Sequence, residues 1–565
     1  MKTYLAVTLI LSAHVLLMLD AARRLSPCWD EMVYPVAGVT MWRTRSLTIA
    51  SGAPFLSEFL CALPLLPLHP SLPDATDSAG KDQLRLGYDF TFHNIIAARK
   101  LIFLTRLPSV CFSFMTALLL FWWIRSLWGN TGALTSLLCY VTTPLLISRA
   151  HLALLEMPAF FFALLALCLH EQWSRKARPV FLYGCGVAMG LALLCKMICA
   201  PLLLVFPVLE MAGYPPHFSQ MQRIKNVCKL TATALLTVVV FYLPWHHPVQ
   251  ALKQIISFAL TFQQTMPPFY WHGRNWIDPP SILSWAAMAV KAPPFVWCLG
   301  LWGFYYWRQS KGHAAALAHL LLFFSMFLIW PLLFPRAVST IQFGLFYFGL
   351  AGLAGGMAAG LNRPHNTTKW LYFLFAAGAF VDAWHVHPNY LSYFNTAVGG
   401  PDAGYRWLAD SDQDWGQSLS VLGDYLKAHG DPNVLLAYSG AADPRAYDLR
   451  FQDLLSPALY VRETQGTLIG TDSRPVWIAL STKVLQTEPA SFGWLRKNMA
   501  PQAMIDSCFF IYDVTRNPEA FRWLGFFYAE THRPAQARWA FERARGLEPD
   551  QKIDAQALRL LSDKR

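Results

Sequence analysis

Charge is what this sequence has least of. Only 14% of its 565 residues are Asp, Glu, Lys or Arg, against about 25% in an ordinary soluble domain. A chain so poor in charge and 55% hydrophobic cannot hide its apolar surface in one water-soluble core. It also lacks a Walker phosphate loop, a GxGxxG fingerprint and an HExxH pair, so nucleotide binding and zinc-protease chemistry have no support. Its 11 cysteines lie mostly within apolar runs, where a thiol acts as a small apolar group. Cys28, Cys61 and Cys508 are the ones expected outside, and a disulfide between the first two stays open.

What the chain does have is long apolar runs: Tyr4 to Leu19, Leu101 to Ile124, Val180 to Leu194, Leu230 to Leu243, Ala314 to Leu333, Phe343 to Leu361 and Leu371 to Val381. Several approach the roughly 20 residues that cross a bilayer as a helix. The net charge of +12 does not indicate nucleic acid, because the basic residues form no single patch. They punctuate the apolar runs, as in a membrane protein that keeps its positive loops inside.

Placing the N-terminus in the cytoplasm gives about eleven spans. Their expected limits are 3–20, 101–125, 131–148, 155–171, 179–195, 198–212, 230–245, 281–306, 314–334, 337–361 and 370–387. Residues 21–100 and 246–280 are then large external loops. Arg125, Arg175, Lys176, Arg178, Arg223, Lys225, Lys229, Arg308, Lys311, Arg363 and Lys369 all fall on the cytoplasmic side. The opening run followed by Ala21-Ala22 resembles a signal peptide, but its length favours an uncleaved first span.

Residues 388–516 read as a soluble α/β domain, with strands at Asn433–Tyr438 and Pro475–Leu480 and helices around Leu419–Lys427 and Phe492–Asn498. Residues 517–565 read as a helical hairpin. Phe521, Leu524, Gly525, Tyr528, Ala537, Phe541, Ala544 and Pro549 have the spacing of one tetratricopeptide repeat. One repeat cannot bury its own face, so this hairpin must pack on the tail domain, on a helix at 551–563 or on a partner.

Several groups could carry chemistry. Asp30–Glu31 stands just beyond the first span, near Tyr34. It is either a solvated acidic turn or a site where Asp30 removes a proton from a hydroxyl or amine while Glu31 tunes it or helps hold a cation. Glu156 stands at the outer end of the fourth span, where a carboxylate faces a cavity, a partner or the interface. Arg106, Arg149, Lys196, Arg274, Lys291 and Arg336 are external and break the positive-inside rule. A lipid-linked phosphate would explain them, as would pairing with carboxylates or headgroups. Asp410, Asp412, Asp414 and Trp415 begin like a calcium loop but fail its template at Trp415 and Val421, so a structural turn or a glycan-contacting loop is expected.

With these segments in hand, the chain resembles the GT-C glycosyltransferases of the protein O-mannosyltransferase and aminoarabinose-transferase type (family 39-like). The likeness runs through Asp30-Glu31 with Tyr34, Arg106-Leu107-Pro108-Ser109, Pro144 to Pro158, Gly190 to Lys196 and Lys291-Ala292-Pro293. His387 to Asn395, Gly399-Gly400-Pro401 and Asp410 to Gln417 resemble a bacterial branch. Two features depart from the pattern: Glu156 stands where Asp is usual, and Ser339 to Phe348 lacks the usual Arg-Tyr/His-Leu-Leu-Pro stretch.

The resemblance implies a GT-C membrane domain over 1–387 in a bacterial inner membrane, with its active site and tail in the periplasm. It implies a polyprenyl-phosphate-linked sugar donor, inversion at the anomeric carbon, and a protein, lipid or glycan acceptor. Asp30 would be the general base, with Glu31 and Glu156 shaping the acceptor site or holding a divalent cation. Lys196, Arg106, Arg274, Arg336 and Lys291 would be candidates for the donor phosphate. Tyr34, His272, Asp410, Asp412, Asp414 and Trp415 would be candidates for acceptor or glycan contacts. The rival expectation is a non-catalytic lipid-glycan transporter or an assembly scaffold. A transporter should place ionisable residues at mid-membrane and repeat its spans, and neither feature is evident.

Overall fold

The structure, a computed structural model, describes residues 2–47, 49, 54–73, 83–213, 218–250, 252–253, 256–257, 269–294, 377–378, 380–409, 411, 413–455 and 472–549. The chain divides into two compact units. One comprises Met1–Arg24, Asp30–Trp271 and Asn275–Ala403; the other comprises Leu25–Trp29, His272–Arg274 and Gly404–Arg565.

The first unit is helical. Its elements are α1 (Lys2–Arg24), α2 (Asp30–Thr44), α3 (Leu56–Cys61), α4 (Gln83–Phe92), α5 (Ala98–Thr142), α6 (Pro144–Ala150), α7 (Glu156–Lys176), α8 (Pro179–Cys195), α9 (Leu202–Met211) and α10 (Gln220–Tyr242). A further helix covers Ser281–Lys291. Among the described residues, α1, α5 and α10 are long and apolar enough to cross a membrane. That is fewer, among the described residues, than the about eleven expected.

Local chemistry explains part of the difference. The run through α5 bends at Gly129, where φ is 72° and ψ is −170°, a conformation open to glycine. This separates the expected second and third spans. α8 stops after 17 residues, just before Lys196, and α9 has 10 residues with Pro207 inside. The expected ninth and tenth spans lie outside the described residues, as do much of the eighth and part of the eleventh.

Where α8 meets α10, the spacing Gly186-x-x-x-Gly190 lets the backbones approach. A Cβ at Gly190 would stand 2.7 Å from both Ala234 O and Thr237 Cβ. The first loop is folded rather than splayed. α2 buries all its positions from Glu31 to Met41, and a Cβ at Gly38 would stand 2.2 Å from Glu58 O on α3.

The second unit is mixed α/β. Two short strands, β1 (Phe269–Trp271) of the first unit and β2 (Arg274–Trp276), precede in sequence its strands β3 (Asn433–Ala437), β4 (Phe451–Asp453), β5 (Val476–Ser481), β6 (Ala503–Ile505) and β7 (Phe509–Asp513). The five-stranded sheet has the order β4-β3-β5-β7-β6. β4, β3 and β5 run parallel, and β7 and β6 continue antiparallel. Helices Pro518–Glu530 and Pro534–Leu547 form the final hairpin. Its Phe521, Leu524, Tyr528, Ala537, Phe541 and Ala544 share one buried core with Leu435, Ile478 and Leu480 of the sheet. Of the packing surfaces that the repeat-like spacing left open, the hairpin uses the tail's own core; residues 551–563 lie outside the described residues. The chain is therefore a polytopic α-helical membrane protein with a mixed α/β C-terminal unit. Cys28, Cys61 and Cys508 are buried thiols, and no disulfide joins the first two.

Candidate functional site

α2 begins with Asp30 and Glu31, placing both carboxylates in its first turn, where the positive end of the helix dipole favours them. One turn on, Tyr34 lies on the same face as Asp30, and its hydroxyl donates to Asp30 Oδ2 at 2.7 Å. Burial pushes the Asp30 carboxyl above its ordinary range. Tyr34, Lys196 and Arg149 pull it down, and Glu156 pushes it up. Tyr34 is itself held as a neutral phenol by burial and by the charges of Asp30, Glu156 and Glu58.

Glu31 turns elsewhere. Its carboxylate is fully buried and takes two parallel hydrogen bonds from Arg106, Nε to Oε1 and Nη2 to Oε2, both 2.7 Å. Ala153 N donates to the same Oε1 at 2.7 Å, and Arg106 Nη1 donates to Ala22 O at 2.8 Å. The forked pair joins α2, α5, the end of α1 and the segment before α7. Arg106 and Glu31 are thus engaged with each other.

Glu156 opens α7. Lys196, just beyond the C-terminus of α8, donates from Nζ to Glu156 Oε1 at 2.6 Å. Glu156 Oε2 is buried and has no hydrogen-bond partner among the described residues. The Lys196 side chain keeps 20% exposure while that of Glu156 keeps 2%, so the ammonium is the accessible half of the pair. Arg149 on α6 is buried and acts electrostatically on both Asp30 and Glu156. Asp30, Tyr34, Glu156, Lys196 and Arg149 form the cluster.

One of its participants, Arg149, and one charge that acts on Tyr34, Glu58, were underweighted by sequence reasoning. Arg149 stood out only as one of several misplaced cations. Glu58 was missed, although an acid in the apolar stretch Phe55 to Leu60 was a usable signal; it is fully buried on α3.

The other expected site residues are placed differently. Lys291 is buried. Its Nζ donates to Leu391 O and Tyr393 O, each at 2.8 Å, and sits 4.1 Å from the Phe394 ring centroid. It anchors the segment around Tyr390. His387 Nε2 lies 2.8 Å from Asp20 Oδ2, so the same segment is tied to α1. Arg274 and His272 are exposed in the second unit. There His272 N donates to Trp407 O at 3.1 Å, and the ring centroids lie 4.8 Å apart.

Asp414 is buried, accepts from the Ser481 hydroxyl, and has its carboxyl pushed up by burial. Trp415 is also buried. Both side chains are thus enclosed in the turn. Asp410, Asp412 and Arg336 lie outside the described residues, as does Ser339 to Phe348. Among the described residues, no group of three or more His, Cys, Asp or Glu is placed to hold a metal.

The family model described as dolichyl-phosphate-mannose-protein mannosyltransferase matches residues 92–246, a stretch that contains Arg106, Arg149, Glu156 and Lys196 but not Asp30. No curated protein matches the chain. Among solved structures, ArnT from Cupriavidus metallidurans bound to undecaprenyl phosphate is similar at 13% identity and a TM-score of 0.44, covering 89% of this chain and 97% of that one. The apo state of the same protein gives 12% identity and a TM-score of 0.43 over the same shares. An Archaeoglobus fulgidus oligosaccharyltransferase tethered to an acceptor peptide gives 11% identity and a TM-score of 0.41, covering 86% of this chain and 70% of that one.

Proposed function

We propose that the chain is an inverting glycosyltransferase of a bacterial inner membrane. It moves a sugar from a polyprenyl-phosphate donor to a periplasmic protein, lipid or glycan acceptor. The observation that carries this reading is the cluster around Asp30: a carboxylate with a raised pKa, oriented by Tyr34, beside the accessible ammonium of Lys196. The match of residues 92–246 to a mannosyltransferase family model supports it.

In this reading, the acceptor hydroxyl or amine gives its proton to Asp30 as its oxygen or nitrogen attacks the anomeric carbon. The bond from that carbon to the phosphate oxygen breaks, and polyprenyl phosphate leaves with the electron pair. Lys196 and Arg149 balance charge on the departing phosphate. A phosphate is a good leaving group, so one base and cations suffice, and the paired acids of a glycosidase are not needed. Glu156 holds Lys196 at the site. Glu31 and Arg106 keep the first turn of α2 in place, and Lys291 keeps the Tyr390 segment in place.

The repeat-like hairpin buries its aromatic face in the tail's own core, which weighs against an assembly scaffold built on that face. The test is sugar release from a panel of polyprenyl-phosphate sugars by purified wild type and Asp30→Asn. Turnover by the wild type, with a loss of at least about 100-fold in the variant, supports the reading. Equal turnover by both proteins, or none by the wild type, removes it.

A further inference from the structure

α1 and α5 are both long and apolar enough to cross a membrane, and an apolar run in each has its limit at the same place. The run in α1 begins at Tyr4, and the first run in α5 stops at Ile124, one residue before Arg125. Arg125 Nη1 donates to Tyr4 Oη at 2.7 Å, and its Nε donates to Asn130 Oδ1 at 2.8 Å. The guanidinium carbon stands 5.2 Å from the ring centroid of Tyr4 and 5.2 Å from that of Trp122. The two ring centroids are 6.3 Å apart, so the cation is held against both.

Each of these partners is neutral. Among the described residues Arg125 pairs with no carboxylate, so its charge stays uncompensated at the level where the hydrocarbon ends. A guanidinium carries five N–H donors in a planar fork, and the two bonds to Tyr4 and Asn130 use two of them. The others suit phosphate oxygens, which accept such donors in pairs. From this end, α1 buries Val7, Leu11, His14 and Met18. Leu5, Leu9 and Leu16 face outward, between 62% and 66% exposed. They recur at helical spacing and form one apolar stripe that starts beside the exposed rings of Tyr4 and Trp122. A fixed cation at the end of an apolar stripe matches a phosphate joined to an acyl chain. The rings that would attract a headgroup ammonium are already engaged by Arg125, so a choline headgroup gains nothing from them.

We propose that Arg125, Tyr4, Trp122 and Asn130 form a headgroup site for an anionic phospholipid, in the leaflet that meets the N-terminal end of α1. The lipid phosphate takes the remaining N–H groups of Arg125, and one acyl chain lies along Leu5, Leu9 and Leu16. A polyprenyl phosphate has the same chemistry, but its place is elsewhere. α1 has 23 residues and is about 35 Å long, enough to cross the hydrocarbon layer. Asp30 follows the far end of α1, so a donor held at Arg125 would lie in the leaflet opposite the proposed base. The phospholipid site therefore stands independently of the glycosyl-transfer reading.

The test is native mass spectrometry of the full-length protein in detergent, titrated with phosphatidylglycerol and with phosphatidylcholine of the same acyl chains. Wild type should bind its first phosphatidylglycerol about fivefold more tightly, and Arg125→Met should lose that preference. Trp122→Leu, which keeps apolar area and removes the ring, should reduce it about twofold and serves where Arg125→Met does not fold. Bound phosphatidylglycerol should resist inorganic phosphate, because the acyl chain contributes to its hold. No preference in the wild type, or a preference unchanged in the folded variants, would overturn the proposal. Displacement by inorganic phosphate would reduce the site to one for a free anion. Polyprenyl phosphate that binds more tightly than phosphatidylglycerol, and only while Arg125 is present, would assign the site to a donor-type lipid. Either result would also overturn it.

Discussion

The carboxylates of Asp30 and Glu31 are one residue apart and meet different surroundings. Glu31 is closed in by a forked arginine and a backbone N–H. Asp30 keeps a solvent-facing edge and one phenol partner. Because burial raises the Asp30 pKa and a base must be unprotonated, activity should fail as pH drops through a value above the usual carboxylate range of about 4. A pH profile of donor turnover should place the acid limb there. Glu31→Gln leaves the buried Arg106 charge uncompensated, so its main effect should be on folding: about 3–5 kcal/mol less stable in denaturant or thermal melts. Lys196→Met should lower turnover more than it lowers yield. Asp30, Glu31, Tyr34 and Glu156 stood out in the sequence as candidates, by residue types at or near the ends of apolar runs. The partition of the cations was not. Arg106, Lys196 and Lys291 look alike in sequence, and only tertiary neighbours decide that Arg106 pairs with a carboxylate in full burial, Lys196 with one while keeping some exposure, and Lys291 with carbonyls.

At the scale of elements, the small residues of α8 set how closely α10 approaches, and α8 delivers Lys196 at its end. Gly190→Leu would drive a side chain into Ala234 O and Thr237. It should cost about 1–3 kcal/mol and reduce turnover by displacing Lys196, readable as a lower melting temperature together with a lower kcat. The helices α1, α5, α8 and α10 fall where the apolar runs were, because a continuous apolar stretch is strong information. The strands expected at Asn433–Tyr438 and Pro475–Leu480 correspond to β3 and β5. β4 and β6 were not read from the sequence, because three residues are too few to display alternation. β7 buries its four leading residues, so it has no polar face to mark it as a strand. The turn at Asp414 was singled out by composition, but its partners lie far along the chain, from Ser26 to Asp506.

For the whole molecule, the division into two units puts Leu25–Trp29 of the N-terminal region with the C-terminal one, a pairing that no local pattern announces. It also changes what truncation means. Since the hairpin supplies Phe521, Leu524, Tyr528 and Phe541 to the tail core, ending the chain after Asn517 should expose that core and produce an aggregated or protease-sensitive tail rather than a clean loss of acceptor binding. Limited proteolysis would show this. The account as a whole depends on Asp30 acting as a base on a lipid-linked sugar. The most direct measurement is therefore sugar release from polyprenyl-phosphate donors by purified full-length wild type and Asp30→Asn in lipid. The account predicts turnover by the wild type on at least one donor and loss of about 100-fold or more in the variant; a wild type inert on every donor, or a variant that keeps pace with it, would contradict it.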